Sequence, residues 1–68
     1  MSDNHEAAND KKIYTVADIQ KILNLSQNTA YSFIRNCYEN KINFRVLKIG
    51  RDYRIPITSF EKWLYGEQ

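Results

Sequence analysis

The sequence predicts a mainly α-helical fold with one small β-hairpin, in the order helix, turn, helix, hairpin, helix. Three observations lead to this expectation. Two segments with helical apolar periodicity are joined by only the three residues 24–26. Gly50 lies between two short runs of β-prone residues, as in a hairpin. A last apolar stripe with helical spacing follows Pro56.

The 68 residues are enough for one small domain. Residues 1–12 contain no aromatic or branched apolar side chain, so we expect a disordered N-terminal tail followed by a folded domain at residues 13–68. No apolar run reaches the roughly 20 residues of a membrane span, and no apolar signal region is evident. The single cysteine, Cys37, suits a reducing compartment. We therefore expect a cytoplasmic protein with no membrane partner.

The first helix is predicted to start at a capping box formed by Thr15 and Asp18, with aspartate in place of the usual glutamate. It should cover residues 16–23 and end at Asn24, a residue type that tolerates the left-handed conformation at a helix end. Its apolar residues repeat at helical spacing and are expected to be buried: Val16, Ile19, Ile22 and Leu23.

The second helix is predicted to begin at Gln27, because Ser26 is a good N-cap. One face is apolar, with the residues Ala30, Phe33, Ile34, Cys37 and Tyr38. The opposite face carries Asn28, Thr29, Ser32, Arg35, Asn36 and Glu39, with Tyr31 on the flank. A plain surface helix is usually rich in Glu, Lys and Ala, whereas short amide and hydroxyl groups suit base edges and phosphates. This pattern predicts a DNA-recognition helix.

Two capped helices joined by three residues are typical of a helix-turn-helix. The alternative is an αα-hairpin that serves only for packing. The shortness of the first helix and the polar face of the second argue against that alternative.

The hairpin is predicted from the β-prone residues 46–49 and 53–55, with the turn at residues 50–52. Its tip would carry Arg51, flanked by Lys48 and Arg54 as further candidates for DNA contact. The last two cations have an alternative role, which is to pair with Asp52 across the hairpin.

The last helix is predicted to start at Thr58, which forms a capping box with Glu61. Pro56 would end the preceding strand, because proline cannot donate to a strand ladder. The apolar face of this helix comprises Phe60, Trp63 and Leu64, and Gly66 would close it.

Charge is unevenly distributed, although the net charge is only +2. Between residues 35 and 54 there are six cations against two carboxylates, a local excess of four. The cations are Arg35, Lys41, Arg45, Lys48, Arg51 and Arg54. Such clustering favours a polyanionic partner, and a solvated basic surface is the alternative.

Groups for catalysis or metal binding are not evident. The chain has no suitably placed carboxylate pair, no Ser/His/Asp set and no metal-ligand spacing, and its one histidine, His5, lies in the predicted tail. Cys37 falls on the apolar face of the second helix and is expected to be a core residue. We therefore expect a protein that is not an enzyme, with no catalytic residue, metal, cofactor or small-molecule ligand.

The segments YTVADIQKILNLSQNTAYSFIR and VLKIGRDYRIPITSFEKWL together resemble the small MerR-like winged helix-turn-helix domains of excisionases from phages and transposons. The resemblance covers about residues 13–65. Its most specific residues are Gly50, Arg51, Arg54, Ile55 and Pro56, followed by Phe60, Trp63 and Leu64. The connection from the second helix to the hairpin is longer than in that family.

The resemblance implies a protein that places its second helix in the major groove of double-stranded DNA and its hairpin, as a wing, in the adjacent minor groove. The positions that match DNA-facing positions of the family are Asn28, Tyr31, Ser32 and Arg35 on the helix and Arg51 on the wing. Family members of this size are recombination directionality factors. They bind near an attachment site in several copies, bend the DNA and assist a site-specific recombinase (an integrase).

Two other functions remain open from the sequence. One is a small MerR-like transcriptional regulator that makes the same DNA contacts. The other is a protein-interaction module such as an antitoxin, which would lack the salt-dependent DNA affinity expected of the first two.

Overall fold

The structure, a computed structural model, describes residues 12–66 of the chain. Its elements are β1 (Ile13–Tyr14), α1 (Val16–Ile22), α2 (Gln27–Asn40), β2 (Leu47–Ile49), β3 (Asp52–Pro56) and α3 (Ile57–Tyr65). The predicted fold class and element order are confirmed, with strand β1 as an addition. The predicted disordered tail falls almost wholly on residues 1–11, which lie outside the described residues.

Helix α1 begins at the predicted capping box. The Thr15 Oγ1 atom accepts the Asp18 N–H at 3.3 Å, and the Asp18 carboxylate accepts the Thr15 N–H at 2.9 Å. The prediction that Ile22 is buried is wrong, since Ile22 is 41% exposed. At about 100° per residue, it lies off the stripe formed by Val16, Ile19 and Leu23, which pack against the core.

The turn between α1 and α2 has the predicted left-handed residue, Asn24, with φ 57°. The Leu25 N–H donates to the Gln20 carbonyl at 2.9 Å and the Asn24 N–H to the Lys21 carbonyl at 3.3 Å. This pair of bonds is a Schellman motif, which satisfies carbonyls left without partners at the helix end. The turn therefore has one defined conformation, and α1 packs directly on α2.

The sheet has three antiparallel strands in the order β1-β3-β2. Tyr14 of β1 pairs with Ile55, and Leu47 of β2 pairs with Arg54. The sequence pattern did not predict β1, because a strand of two residues is too short to show the alternation of inward and outward side chains. A third strand supports the hairpin, which would be marginal by itself.

The hairpin turn is shorter than predicted. Asp52 belongs to β3 and pairs with Ile49, so only Gly50 and Arg51 form the loop. Gly50 has φ 63°, and a two-residue hairpin turn with glycine at its first position matches the right-handed twist of the strands. Arg51 is thereby held at the tip.

A substitution at Gly50 tests this turn. A Cβ atom added there meets nothing within 4 Å, so the only cost of Gly50→Ala is the strain of placing alanine in the left-handed backbone conformation. This strain should lower the free energy of unfolding by about 1–2 kcal/mol. Gly50→Asn should lose less, because asparagine tolerates this conformation better. Urea denaturation followed by circular dichroism measures both. Equal stability of the Ala variant and the parent would contradict the turn geometry.

The predicted capping box at Thr58 is wrong. Helix α3 begins one residue earlier, at Ile57, without a side-chain cap. The Ile57 N–H donates instead to the Lys12 carbonyl at 3.0 Å, and the Glu61 carboxylate accepts the Tyr14 hydroxyl at 3.2 Å. Tertiary partners from the start of the domain therefore replace the local cap. The predicted end of α3 at Gly66, with φ 69°, is confirmed.

The core combines aliphatic residues from α1, α2 and β3 with a cluster of aromatic side chains. Phe44 is buried at its centre, with ring centroids 5.0 Å from Phe60, 5.1 Å from Trp63 and 5.8 Å from Phe33. Phe44 lies in the connection between α2 and β2, and no helical or strand periodicity in the sequence predicts this role. Cys37 is buried, as predicted.

Among residues 12–66, no helix has the length and apolar character needed to cross a membrane.

Candidate nucleic-acid interface

Helix α2 has the two faces that the sequence predicts. Ala30, Ile34 and Cys37 are buried against the core. The residues on the opposite side are all exposed: Asn28, Thr29, Ser32, Arg35, Asn36 and Glu39. The core therefore fixes the helix by one side and leaves an amide- and hydroxyl-rich side open to a ligand.

The first turn of α2 is capped as predicted. The Ser26 Oγ atom accepts the Thr29 N–H at 3.2 Å, and its hydroxyl lies 2.9 Å from the Thr29 hydroxyl. The turn contains no acidic residue, so the positive end of the helix dipole is not neutralised there. This end of α2 suits an anion such as a phosphate.

An open cleft of about 480 Å³ separates the start of α2 from the hairpin. Residues from α2, from the hairpin and from the start of α1 line the cleft. They are Thr15, Val16, Ala17, Gln27, Asn28, Tyr31, Arg51, Asp52, Tyr53 and Arg54. Gln27 at the start of α2 and Arg51 at the tip of the hairpin are 24 residues apart in the sequence. The fold places both on one concave surface.

The three hairpin cations differ in their contacts. Arg54 pairs with Asp52 at 3.5 Å, which was the alternative role that the sequence left open for it. Lys48 does not pair with Asp52; its Nζ lies 5.8 Å from the centroid of the Tyr53 ring. Arg51 is exposed and has no ion pair with any residue in the described part of the chain. Arg51 is therefore the cation most available to a ligand.

Arg35 lies on the exposed side of α2 and contacts Glu39, with 3.2 Å between Nε and the carboxylate oxygen. The hydrogen bond and the charge of Glu39 raise the pKa of Arg35. Both side chains are exposed, and such a pair in water is weak and screened by salt. Glu39 therefore holds Arg35 only weakly, and the guanidinium stays accessible at the surface of α2.

Tyr31 joins α2 to the hairpin. Its ring centroid is 5.4 Å from that of Tyr53, which also contacts Tyr38 at 5.6 Å. Burial, and then the neighbouring Tyr31, raise the pKa of Tyr53. Tyr31 remains 43% exposed on the cleft side. The sequence did not predict that Tyr53 packs the hairpin against α2. The alternation of Tyr53, Arg54 and Ile55 along the strand did indicate that Tyr53 faces inward.

The thiol of Cys37 is buried and accepts a hydrogen bond from the Asn43 amide at 3.3 Å. Burial raises its pKa, so less of the reactive thiolate is present at a given pH. Among residues 12–66, no group of three His, Cys, Asp or Glu side chains could hold a metal ion.

The burial of Cys37 makes a prediction about its reactivity. At about pH 8, a thiol probe should react with the native protein at least roughly 100-fold more slowly than with the protein unfolded in urea. Absorbance of the released chromophore measures both rates. Similar rates in the two states would contradict the position of Cys37 in the core.

An exposed polar helix beside an arginine-tipped hairpin, supported by a capped first helix, defines a winged helix-turn-helix, which is a class of DNA-binding domain. A family model described as a helix-turn-helix domain matches residues 13–66, and the chain belongs to this family. The family includes excisionase-like DNA-binding proteins, and its domains typically are not enzymes. No significant match was found among the curated proteins or among the solved structures.

Proposed function

We propose that the protein is a sequence-specific DNA-binding protein of the excisionase type. It would bind and bend DNA near an attachment site and assist a site-specific recombinase. The observation that carries this proposal is that the polar start of α2 and the Arg51 tip border one cleft. The MerR-like excisionase resemblance of residues 13–65 supports the recombination role.

In this proposal, the exposed face of α2 lies in the major groove, which is about 12 Å wide and admits a helix. The distance from Asn28 to Arg35 along the axis is about 10 Å, enough to face roughly three base pairs. The Asn28 amide suits adenine, and the Arg35 guanidinium suits guanine or a phosphate. Ser32 lies between them, and Thr29 and Tyr31 face the sugar-phosphate backbone.

The hairpin acts as the wing. Its tip residue, Arg51, enters the adjacent minor groove, where a narrow A·T-rich segment has enhanced negative potential. The sugar-phosphate strand between the two grooves then occupies the cleft that Arg54 lines. Lys48 contributes positive charge on the hairpin flank. The cleft therefore accounts for simultaneous contact with both grooves.

Selection of bound sequences from a random DNA pool, at defined salt, gives the target site. On that site, about five phosphate contacts should give a slope of roughly −4 to −5 for log K against log salt. Gel shifts with circularly permuted fragments should show several bound copies and a bend. A single copy on straight DNA would contradict the excisionase role and leave DNA binding intact. Affinity independent of salt would contradict DNA binding by these residues.

A further inference from the structure

A second concave surface lies at the opposite end of α2 from the DNA-facing cleft. Its volume is about 460 Å³, and the 14 residues of α2 place it about 20 Å from the first turn of that helix. We name it the linker groove, because most of its walls come from the connection between α2 and β2. It is lined by Cys37, Tyr38, Lys41, Ile42, Asn43, Phe44, Arg45, Val46 and Ser59.

The backbone of the connection holds an apolar side chain out to solvent. Ile42 is 42% exposed, although it lies between Lys41 and Asn43, whose φ angles of 54° and 66° are unfavourable for most side chains. The segment is fixed in this form, since the Asn43 amide donates to the Cys37 sulfur at 3.3 Å. Ile42 therefore keeps an apolar surface that a ligand can cover.

The connection is also fixed at its other end, where the Arg45 N–H donates to the Ser59 hydroxyl of α3 at 2.9 Å. The groove floor consists of the buried residues Cys37 and Phe44. The groove is therefore formed in the free protein and needs no rearrangement to accept a ligand.

The charges at the groove have one sign. Lys41 and Arg45 line it and are exposed, and no carboxylate is among the lining residues. Neither cation forms an ion pair with any residue between 12 and 66. The neighbouring carboxylate on α2, Glu39, contacts Arg35 instead. The groove thus offers an exposed apolar surface between two unpaired cations.

We infer that the linker groove is a docking site for a segment of a partner protein in which carboxylates flank a large apolar side chain. The apolar side chain would cover Ile42 and Tyr38, and the carboxylates would pair with Lys41 and Arg45. The apolar groups of nucleic acid, such as the thymine methyl, are small and lie in the grooves between the phosphates, so the exposed apolar surface of Ile42 favours a protein segment. Because the groove lies far from the cleft, the partner and DNA can bind together. This inference goes beyond the proposed function and does not require DNA.

A synthetic 12-residue peptide with leucine and phenylalanine on one helical face and glutamate beside them is the probe. Titration into the ¹⁵N-labelled chain of 68 residues should shift the amide signals of Tyr38, Ile42, Phe44, Arg45 and Val46. Peptides with lysine in place of glutamate, or serine in place of the apolar residues, should bind at least roughly tenfold more weakly.

Two variants separate the groove from the cleft. Ile42→Ser should weaken the binding of the peptide at least roughly tenfold and leave DNA affinity within about twofold. Arg51→Ala should leave peptide binding within about twofold and weaken DNA binding roughly 5- to 150-fold. Failure of the proposed function would appear in the DNA assay alone, so the two failures are distinguishable.

The inference is overturned by any of five results, four of them in the titrations. The peptide does not bind at about 1 mM, or it shifts only amide signals outside the linker groove. The peptide with lysine in place of glutamate binds as tightly as the glutamate peptide. Duplex DNA, and not the peptide, shifts the signals of the linker groove. Self-association of the protein that Ile42→Ser abolishes would also overturn it, because the occupant would then be a second copy.

Discussion

Replacing Phe60 with alanine is expected to lower the free energy of unfolding by about 3–5 kcal/mol. Phe60 is fully buried and contacts three aromatic rings, those of Tyr14, Phe44 and Trp63, at centroid distances of 5.0–5.7 Å. Removing its ring takes away these contacts and leaves a cavity that the small core fills only partly. A chain of 68 residues has a total stability of roughly 3–10 kcal/mol. The substitution should therefore remove about a third or more of the total stability.

Urea denaturation followed by circular dichroism measures this effect. Phe60→Leu provides an intermediate variant, expected to lose about 1–1.5 kcal/mol and to stay folded. Tyr65→Ala is the matched control on the same helix, since Tyr65 is 67% exposed and should change stability by no more than about 0.5 kcal/mol. If Phe60→Ala and Tyr65→Ala melt alike, the packing of α3 described above is wrong.

Replacing Arg51 with alanine is expected to weaken DNA binding by about 1–3 kcal/mol, or roughly 5- to 150-fold. Among residues 12–66, Arg51 has neither an ion pair, as Arg54 has, nor an aromatic contact, as Lys48 has, so its full charge is available to DNA. For the same reason, the substitution should leave the thermal stability unchanged. Fluorescence anisotropy with the selected site, at several salt concentrations, measures the affinity and the salt slope.

The control for Arg51→Ala is Lys62→Ala. Lys62 is exposed in the last turn of α3 and does not line the cleft, so its removal lowers the net charge equally without removing a proposed contact. Its affinity for DNA should stay close to that of the parent. Equal loss in both variants would mean that total charge, and not the hairpin tip, determines binding. An unchanged affinity of Arg51→Ala would remove the wing from the proposal.

Local hydrogen bonds made the helix starts predictable. Thr15 and Asp18 form their capping box, and Ser26 caps α2 at the expected residue. The capping box predicted at Thr58 does not form. The Ile57 N–H donates to the Lys12 carbonyl instead, and the Glu61 carboxylate accepts the Tyr14 hydroxyl. A local signal therefore holds only where no residue from a distant part of the chain offers a better partner.

The exposed face of α2 was predictable in its residues, whereas its arrangement beside the hairpin was not. The amide- and hydroxyl-rich face of α2 followed from period and composition alone. The partners of Lys48 and Arg54 depended on the hairpin register, which places Lys48 opposite Tyr53. A two-residue turn, in place of the expected three, decided that register.

The sequence by itself determined where the first two helices start, which side of α2 is buried and which residue turns the hairpin. Each of these depends on groups within a few residues of one another, whose geometry the chain fixes locally. Only the tertiary structure decided that Phe44 is central to the core, that Ile13–Tyr14 completes the sheet, and that Gln27 and Arg51 share a cleft. These contacts join residues 16 to 43 positions apart, and a local pattern carries no information about the distances in space between them.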